Sequence, residues 1–265
     1  RPTGESGDFE KANFPIGVEG GKTSTCPTQN LMEAYDMKDG TPFVWNNQSN
    51  PYDNRDPRMK YTIVCNEMKW PVDPVEIWEG GTNGLPLQNA TTTGYYLKKY
   101  VNNTISFEAG STVTKKQHNW VLFRYGEILL NYAEAMINAF HDPNYKDAVY
   151  NMSAREAVNQ IRGRTNISLP GFPSDITEKD FVKRLKNERR VELAFEGHRF
   201  WDVRRWKELG QTANIYGVKI TKNNEVISYE KFLLETRAVT DNMYFYPIPN
   251  TERFKNPNLG QNPGW

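Results

Sequence analysis

The chain has 265 residues, enough for one large domain or two small ones with a substantial core. Its 33 Lys+Arg against 32 Asp+Glu leave a net charge of +1 with no long basic run, which argues against a nucleic-acid footprint. No stretch approaches the ~18 consecutive apolar residues of a membrane span, and no charged-then-apolar leader precedes Gly4. Aromatic residues reach 13% in a chain whose mean hydropathy is −0.76, so some rings are expected at the surface. Two cysteines, Cys26 and Cys65, do not fix a redox compartment and are expected to be unpaired.

Residues 1–118 are rich in Gly, Pro, Asn, Asp and Thr, with short apolar runs such as Tyr61 to Val64 and Tyr95 to Leu97. They predict long loops with short helices and a few strands. One short helix is predicted from Gln29 to Met37, with Thr28 as N-cap and Gly40 as stop. The helical half begins near Asn119. From Val121 to Phe140, Leu122, Tyr125, Leu129, Tyr132, Met136 and others share one face and Arg124, Glu127, Asn131 and Glu134 the other. His141, Asp142 and Pro143 break that helix, and a second is predicted from Tyr145 to Arg164. Such a pair resembles one tetratricopeptide unit of about 34 residues, which must pack on further helices to bury its face. Leu169 to Ile176 reads as a connector. Asp175 or Thr177 can cap the helix that follows. The tail from Tyr244, with four prolines, reads as extended packing.

The run Lys186 to Lys207, KNERRVELAFEGHRFWDVRRWK, concentrates charge and rings without a standard catalytic motif. Glu188, Glu192 and Glu196 recur at four-residue intervals, on the stripe that carries Phe181 and Leu185. Carboxylates therefore share the face that should be buried, and none has a cation four residues onward to relieve it. Their partners must come mainly from other elements, with Arg162, Arg164, Arg199, Arg204 and Arg205 available. This predicts a partly buried ionic cluster that pins helices together.

That run closely resembles the C-terminal signature of the SusD/RagB family. PTQNLMEAYDMKDG (Pro27 to Gly40), the unit Arg55 to Arg58, TGYYLKKYV (Thr93 to Val101), FRYGEILLNYAEA (Phe123 to Ala135) and the closing YFYPIP and NPNLGQNPGW follow in the family's order. The resemblance implies a mainly α, SusD-like fold with tetratricopeptide-like helical pairs, a large irregular region and few short strands. It implies a non-catalytic surface lipoprotein of the outer membrane that binds oligosaccharide and delivers it to a SusC-like TonB-dependent transporter. Family members are longer and carry a signal peptide and lipidated Cys. The chain is thus expected to be the C-terminal portion of a larger protein, with 1–118 ligand-facing and 119–265 the helical region and tail of one domain. A lipid anchor belongs to the N-terminal portion. No cofactor or metal is implied.

Sugar binding needs flat apolar faces that stack on a pyranose, plus amides, carboxylates or guanidinium groups for vicinal hydroxyls. Trp45, followed by Asn46, Asn47 and Gln48, sets a ring beside amides; Trp70 and Trp78 lie in Pro/Gly-rich surroundings. Phe9 and Phe14 flank the open segment that, in the family, varies with ligand. Each ring alone reads better as a loop anchor than as a ligand contact, yet the group as a whole is expected to supply at least one contact. Arg55, Asp56 and Arg58 read as structural, as does His198, which has no nucleophile or second metal ligand nearby. Arg204 and Arg205 are expected to stack on Trp201 and Trp206. A glycoside hydrolase using Glu188 and Glu192, one helical turn apart, is an alternative, although such carboxylates normally come from different elements across a cleft. An interaction scaffold without a sugar site is another.

Overall fold

The computed structural model describes residues 2–47, 50–108 and 114–265. The first part carries β1 (Pro2–Ser6), α1 (Asp8–Asn13), α2 (Gln29–Met32), α3 (Pro57–Thr62), β2 (Ile63–Val64), β3 (Tyr96–Leu97) and β4 (Lys116–Asn119). The second carries α4 (Tyr125–Phe140), α5 (Ala154–Arg162), α6 (Glu178–Glu192), α7 (Arg199–Arg205), β5 (Asn214–Asn223), β6 (Val226–Thr236) and α8 (Asn250–Lys255). Strands pair antiparallel as β1–β4, β2–β3 and β5–β6. Cys26 and Cys65 are both free thiols. No helix among the described residues is long and apolar enough to cross a membrane.

Several helices are shorter than their apolar periodicity suggests, each for a local reason. α2 stops at Met32 because the Arg55 guanidinium draws the carbonyls of Met32 and Tyr35 to itself at 2.6 and 2.7 Å. α4 starts at Tyr125, since Arg124 stays extended at φ −148° and ψ 159°. Between them α4 and α5 leave an irregular link, in which Asp147 accepts the backbone N–H groups of Val149 and Tyr150. Side-chain acceptors of this kind compete with the helix ladder. The Ser153–Glu156 capping box then opens α5. Thr177 caps α6 by accepting from the Asp180 N–H. In the tail, α8 replaces part of the expected extended packing.

The few short strands expected do not include β5 and β6, a hairpin of 10 and 11 residues. Asn224 makes its turn at φ 54°, a left-handed conformation that Asn tolerates. Val218, Ile220 and Tyr229 face inward and are buried. The outer edge of β5 is covered by irregular chain. Val218 N–H donates to the Thr93 carbonyl and Glu79 N–H to that of Ile220, both at 2.9 Å. Asn30 bonds Asn214 O through its amide N–H and Tyr216 N–H through its oxygen, at 3.0 and 2.8 Å.

Two apolar clusters form the core. One gathers Met32, Met59, Ile63 and Tyr95 with Val191 of α6 and Val218 and Tyr229 of the hairpin. The division expected at residue 118 therefore does not separate cores. The other packs α4, α5 and α6 through Leu130, Ile137, Val158, Ile161, Phe181 and Leu185. Full burial of such side chains contributes about 1.5–3 kcal/mol each. Tyr125 and Ile128, expected on the apolar face of α4, are instead exposed.

Between the clusters lies the carboxylate stripe. Glu188 takes Arg58 Nη1 at 2.5 Å and Arg162 Nη1 at 2.7 Å. Glu192 takes Arg58, Arg124 and a two-pronged Arg164, at 2.7–2.9 Å. Arg58 is also held by Asp56, which caps α3. α6 ends at Glu192, and Phe195 (φ 61°) and Gly197 (φ 82°) turn the chain, so Glu196 lies off the helix. It still joins the cluster, accepting from Arg124 Nε at 2.7 Å and Lys99 Nζ at 2.6 Å. Arg162 and Arg164 serve as expected. Arg199, Arg204 and Arg205 do not, and Arg58, Arg124 and Lys99 take their place. Arg204 stacks on Phe200 at 3.5 Å instead of a Trp, whereas Arg205 does lie over Trp206 at 4.5 Å.

Burial pushes both α6 carboxyls up, and their arginines more than reverse it. Glu188 is held below the usual range, and Glu192 falls to about 2, led by Arg58 and Arg124. The stabilisation from Glu192 is therefore complete above its ordinary value of 4.5 and is lost as pH falls toward about 2. Thermal melts from pH 7 to 2 should show Tm dropping through that window, with a smaller drop in Glu192→Gln than in the parent. Arg58→Ala leaves buried Asp56 without a cation among the described residues and takes one partner each from Glu188 and Glu192, so we expect a loss of about 3–5 kcal/mol in denaturant melts. Lys146→Ala, which removes the exposed pair with Glu156, should cost at most about 1 kcal/mol.

Candidate functional site

The six ring and amide positions expected to contact ligand scatter. Phe14 and Trp70 are core residues, 1% and 7% exposed, and present no face to a sugar. Phe14 packs edge-on to Phe107, and Lys98 lies over the Trp70 ring at 4.9 Å. Trp78 is half-buried beneath Lys222, 4.5 Å from its ring centre. Trp45 is half-buried beside Phe43 and donates its indole N–H to Asn47, with Asn46 and Asn47 exposed. Gln48 lies outside the described residues. Of the six, Phe9 alone borders the aromatic cavity.

That cavity, about 430 Å³, is bounded by Phe9, Tyr100, His118 and Trp120. Trp120 and Tyr100 stack with centroids 6.2 Å apart and planes at 23°, and Phe9 tilts against His118 at 5.6 Å. Trp120 is 58% exposed. Glu5, Asp8 and Asn119 border the rings and supply carboxylate and amide oxygens. Rings beside planar acceptors match the polar and apolar faces of a pyranose. Two rim carboxylates with no Lys or Arg among the described lining residues favour a neutral hydroxyl-rich ligand over an anion.

Both walls are built from the framework. The β1–β4 pair brings Glu5 opposite Gln117, and places His118 and Trp120 beside the start of α1. Buried Glu10 ties the walls: it bonds His118 Nε2 at 2.9 Å and accepts the Asn102 N–H at 2.9 Å. Lys99 is fixed by Glu196 and by the Ala194 carbonyl at 2.8 Å. The next residue, Tyr100, sits at φ 69°, which a bulky side chain seldom adopts. The ionic cluster thus holds the backbone that presents the Tyr100 ring. In the sequence Tyr100 carries no signal beyond the motif TGYYLKKYV and Trp120 falls at the start of the expected helical half, because the β1–β4 pairing joins residues more than 100 positions apart.

Glu188 and Glu192 offer no proton-carrying acid. Both are buried, bound by arginine and held below the usual range, whereas a glycosidase pair needs one carboxyl raised. His198 lies 3.6 Å from Glu127 and 3.5 Å from Arg189, a packed polar side chain as expected. Arg55, buried and bound by carbonyls, is structural too. Among the described residues no group of three or more His, Cys, Asp or Glu side chains is placed to hold a metal ion.

Known proteins agree with this architecture. The chain is 37% identical over 150 residues to one SusD-like protein of Formosa agariphila, covering 54% of this chain and 24% of that protein. A second SusD-like protein of that organism is 29% identical over 163 residues, 59% and 28% of the two chains. In solved structures, a SusD-like protein of Bacteroides fragilis superposes with a TM-score of 0.80 at 26% identity, over 98% of this chain and 53% of its own. A SusD-like carbohydrate-binding protein of the same species gives 0.74 at 25% identity, over 95% and 51%. This chain thus spans about half the length of those solved relatives. The model of the SusD family matches residues 4–265, and the chain belongs to that family.

Proposed function

We propose that the protein binds oligosaccharide without chemical turnover, and that the cavity of Phe9, Tyr100, His118 and Trp120 is a sugar platform. The stacked Trp120–Tyr100 pair, lining the cavity among acceptors, is the observation that carries this reading. Trp45 with Asn46 and Asn47 forms a second, smaller ring-and-amide surface; Trp78 is screened by Lys222. Residues 1–118 supply most of the cavity wall, which fits a ligand-facing role. Family membership supports the wider setting: a surface lipoprotein at the outer membrane that passes its glycan to a SusC-like TonB-dependent transporter, with the lipid anchor in the N-terminal portion of the whole protein.

Isothermal titration of the full-length protein against a panel of neutral oligosaccharides tests the platform. Trp120→Ala and Tyr100→Ala should each weaken the bound sugar about tenfold or more, the usual effect of removing a central aromatic contact. Phe254→Ala, which removes another exposed ring, should change nothing. Unaltered affinity in both cavity variants, with Tm preserved, would remove the cavity from the site.

A further inference from the structure

A second concavity, about 470 Å³, opens between the segment after α2 and the outer sides of α6 and α7. Its chemistry is opposite to that of the aromatic cavity. Every carboxylate that lines it already has a cation: Glu33 has Lys231, Asp36 has Arg162 and Arg184, Glu188 has Arg58 and Arg162, and Glu208 has Lys186. Two of its guanidinium groups stand apart. Arg190 donates to the Asn30 carbonyl and Arg199 to the Gln211 side-chain oxygen, each at 2.8 Å, and neither forms an ion pair among the described residues. Arg199 disfavours the charge on Arg190, and Arg184 on the same wall donates to the Gly40 carbonyl and lies 3.7 Å from Asp36. Burial, with Arg199 behind it, pushes the Arg190 guanidinium down to about 10. Phe43, edge-on to Trp45, lines one side of this groove and joins it to the ring-and-amide surface.

We infer that this groove is an anion site that holds the carboxylate or sulfate of an acidic saccharide between Arg190 and Arg199. Guanidinium forks match both groups, and their charge-assisted hydrogen bonds are stronger than neutral ones. The inference rests on the glycan-binding reading for the saccharide but not for the anion. It divides the labour: hydroxyl faces at the Trp120 cavity, acidic substituents in the groove.

Titrations of the full-length protein would use a galacturonic acid oligomer, its methyl ester, a sulfated galactose oligomer and sodium sulfate alone. We expect at least one acidic oligomer to bind about tenfold more tightly than the ester. That difference should vanish in Arg199→Gln and at 0.5 M salt, shrink in Arg190→Lys, and survive Trp120→Ala. Arg190→Lys keeps the charge while losing the fork, and melts of both variants verify folding. Equal binding of acidic and esterified forms, or unchanged discrimination in the folded Arg variants, overturns the inference and leaves the neutral-sugar reading intact. Sulfate bound in an Arg199-dependent way with no oligosaccharide bound anywhere sinks the glycan reading and keeps the anion site.

Discussion

Arg58 is the side chain on which the two cores depend. One nitrogen of its guanidinium meets Glu188 and Glu192 together, and the rest is held by Asp56 of its own helix cap. Three carboxylates and one cation cannot be left in a low-dielectric interior unless further cations close the balance. Arg162 and Arg164 do so from the end of α5, and Arg124 from the start of α4. The fold is therefore required to bring the ends of α4 and α5 to α6 and α3 at once. Apolar packing supplies most of the stabilising area, but it tolerates small slips; paired charges with fixed forks do not.

The same charges reach the ligand region without entering it. Lys99 answers Glu196, and its neighbour Tyr100 is turned outward as a result. Rigid support behind a binding ring lowers the ordering that binding must impose. Glu10 plays the matching part on the facing wall, through His118 and the Asn102 backbone. A framework of buried charge thus fixes an aromatic surface, with His118 belonging to both.

Sequence made the framework half legible. The Glu stripe, its placement on a buried face and two of its arginine partners follow from helical spacing and from the cost of burying unpaired charge. Arg124 and Lys99 could not be found that way: periodicity puts Arg124 on the polar face of a helix whose N-cap it is, and Lys99 follows a two-residue strand with no periodic signal. Glu196 was assigned to the right cluster for the wrong geometry, since the chain turns at Phe195 before reaching it. The long hairpin escaped because a bulge at Ile215 and Gly217, whose Cβ would press the Phe232 ring at 2.9 Å, break the alternation that marks strands. As for the site, ring type and loop setting were sound cues in general, but they do not distinguish Phe14, which is core, from Phe9, which lines a cavity. That difference arises from which loop closes over which ring.

The cover over β5 has a consequence for behaviour in a crowded solution. A two-stranded hairpin normally offers two edges on which another extended chain can nucleate. Here Asn30, Thr93 and Glu79 occupy hydrogen-bonding positions along one of them, and an amide side chain stands where a third strand would begin. The remaining edge, along β6, carries Glu230 and Lys231 in its middle. A segment this long and this rich in β-branched and aromatic residues would otherwise be prone to cross-β stacking, and its β5 edge is shielded by one helical side chain and by loops.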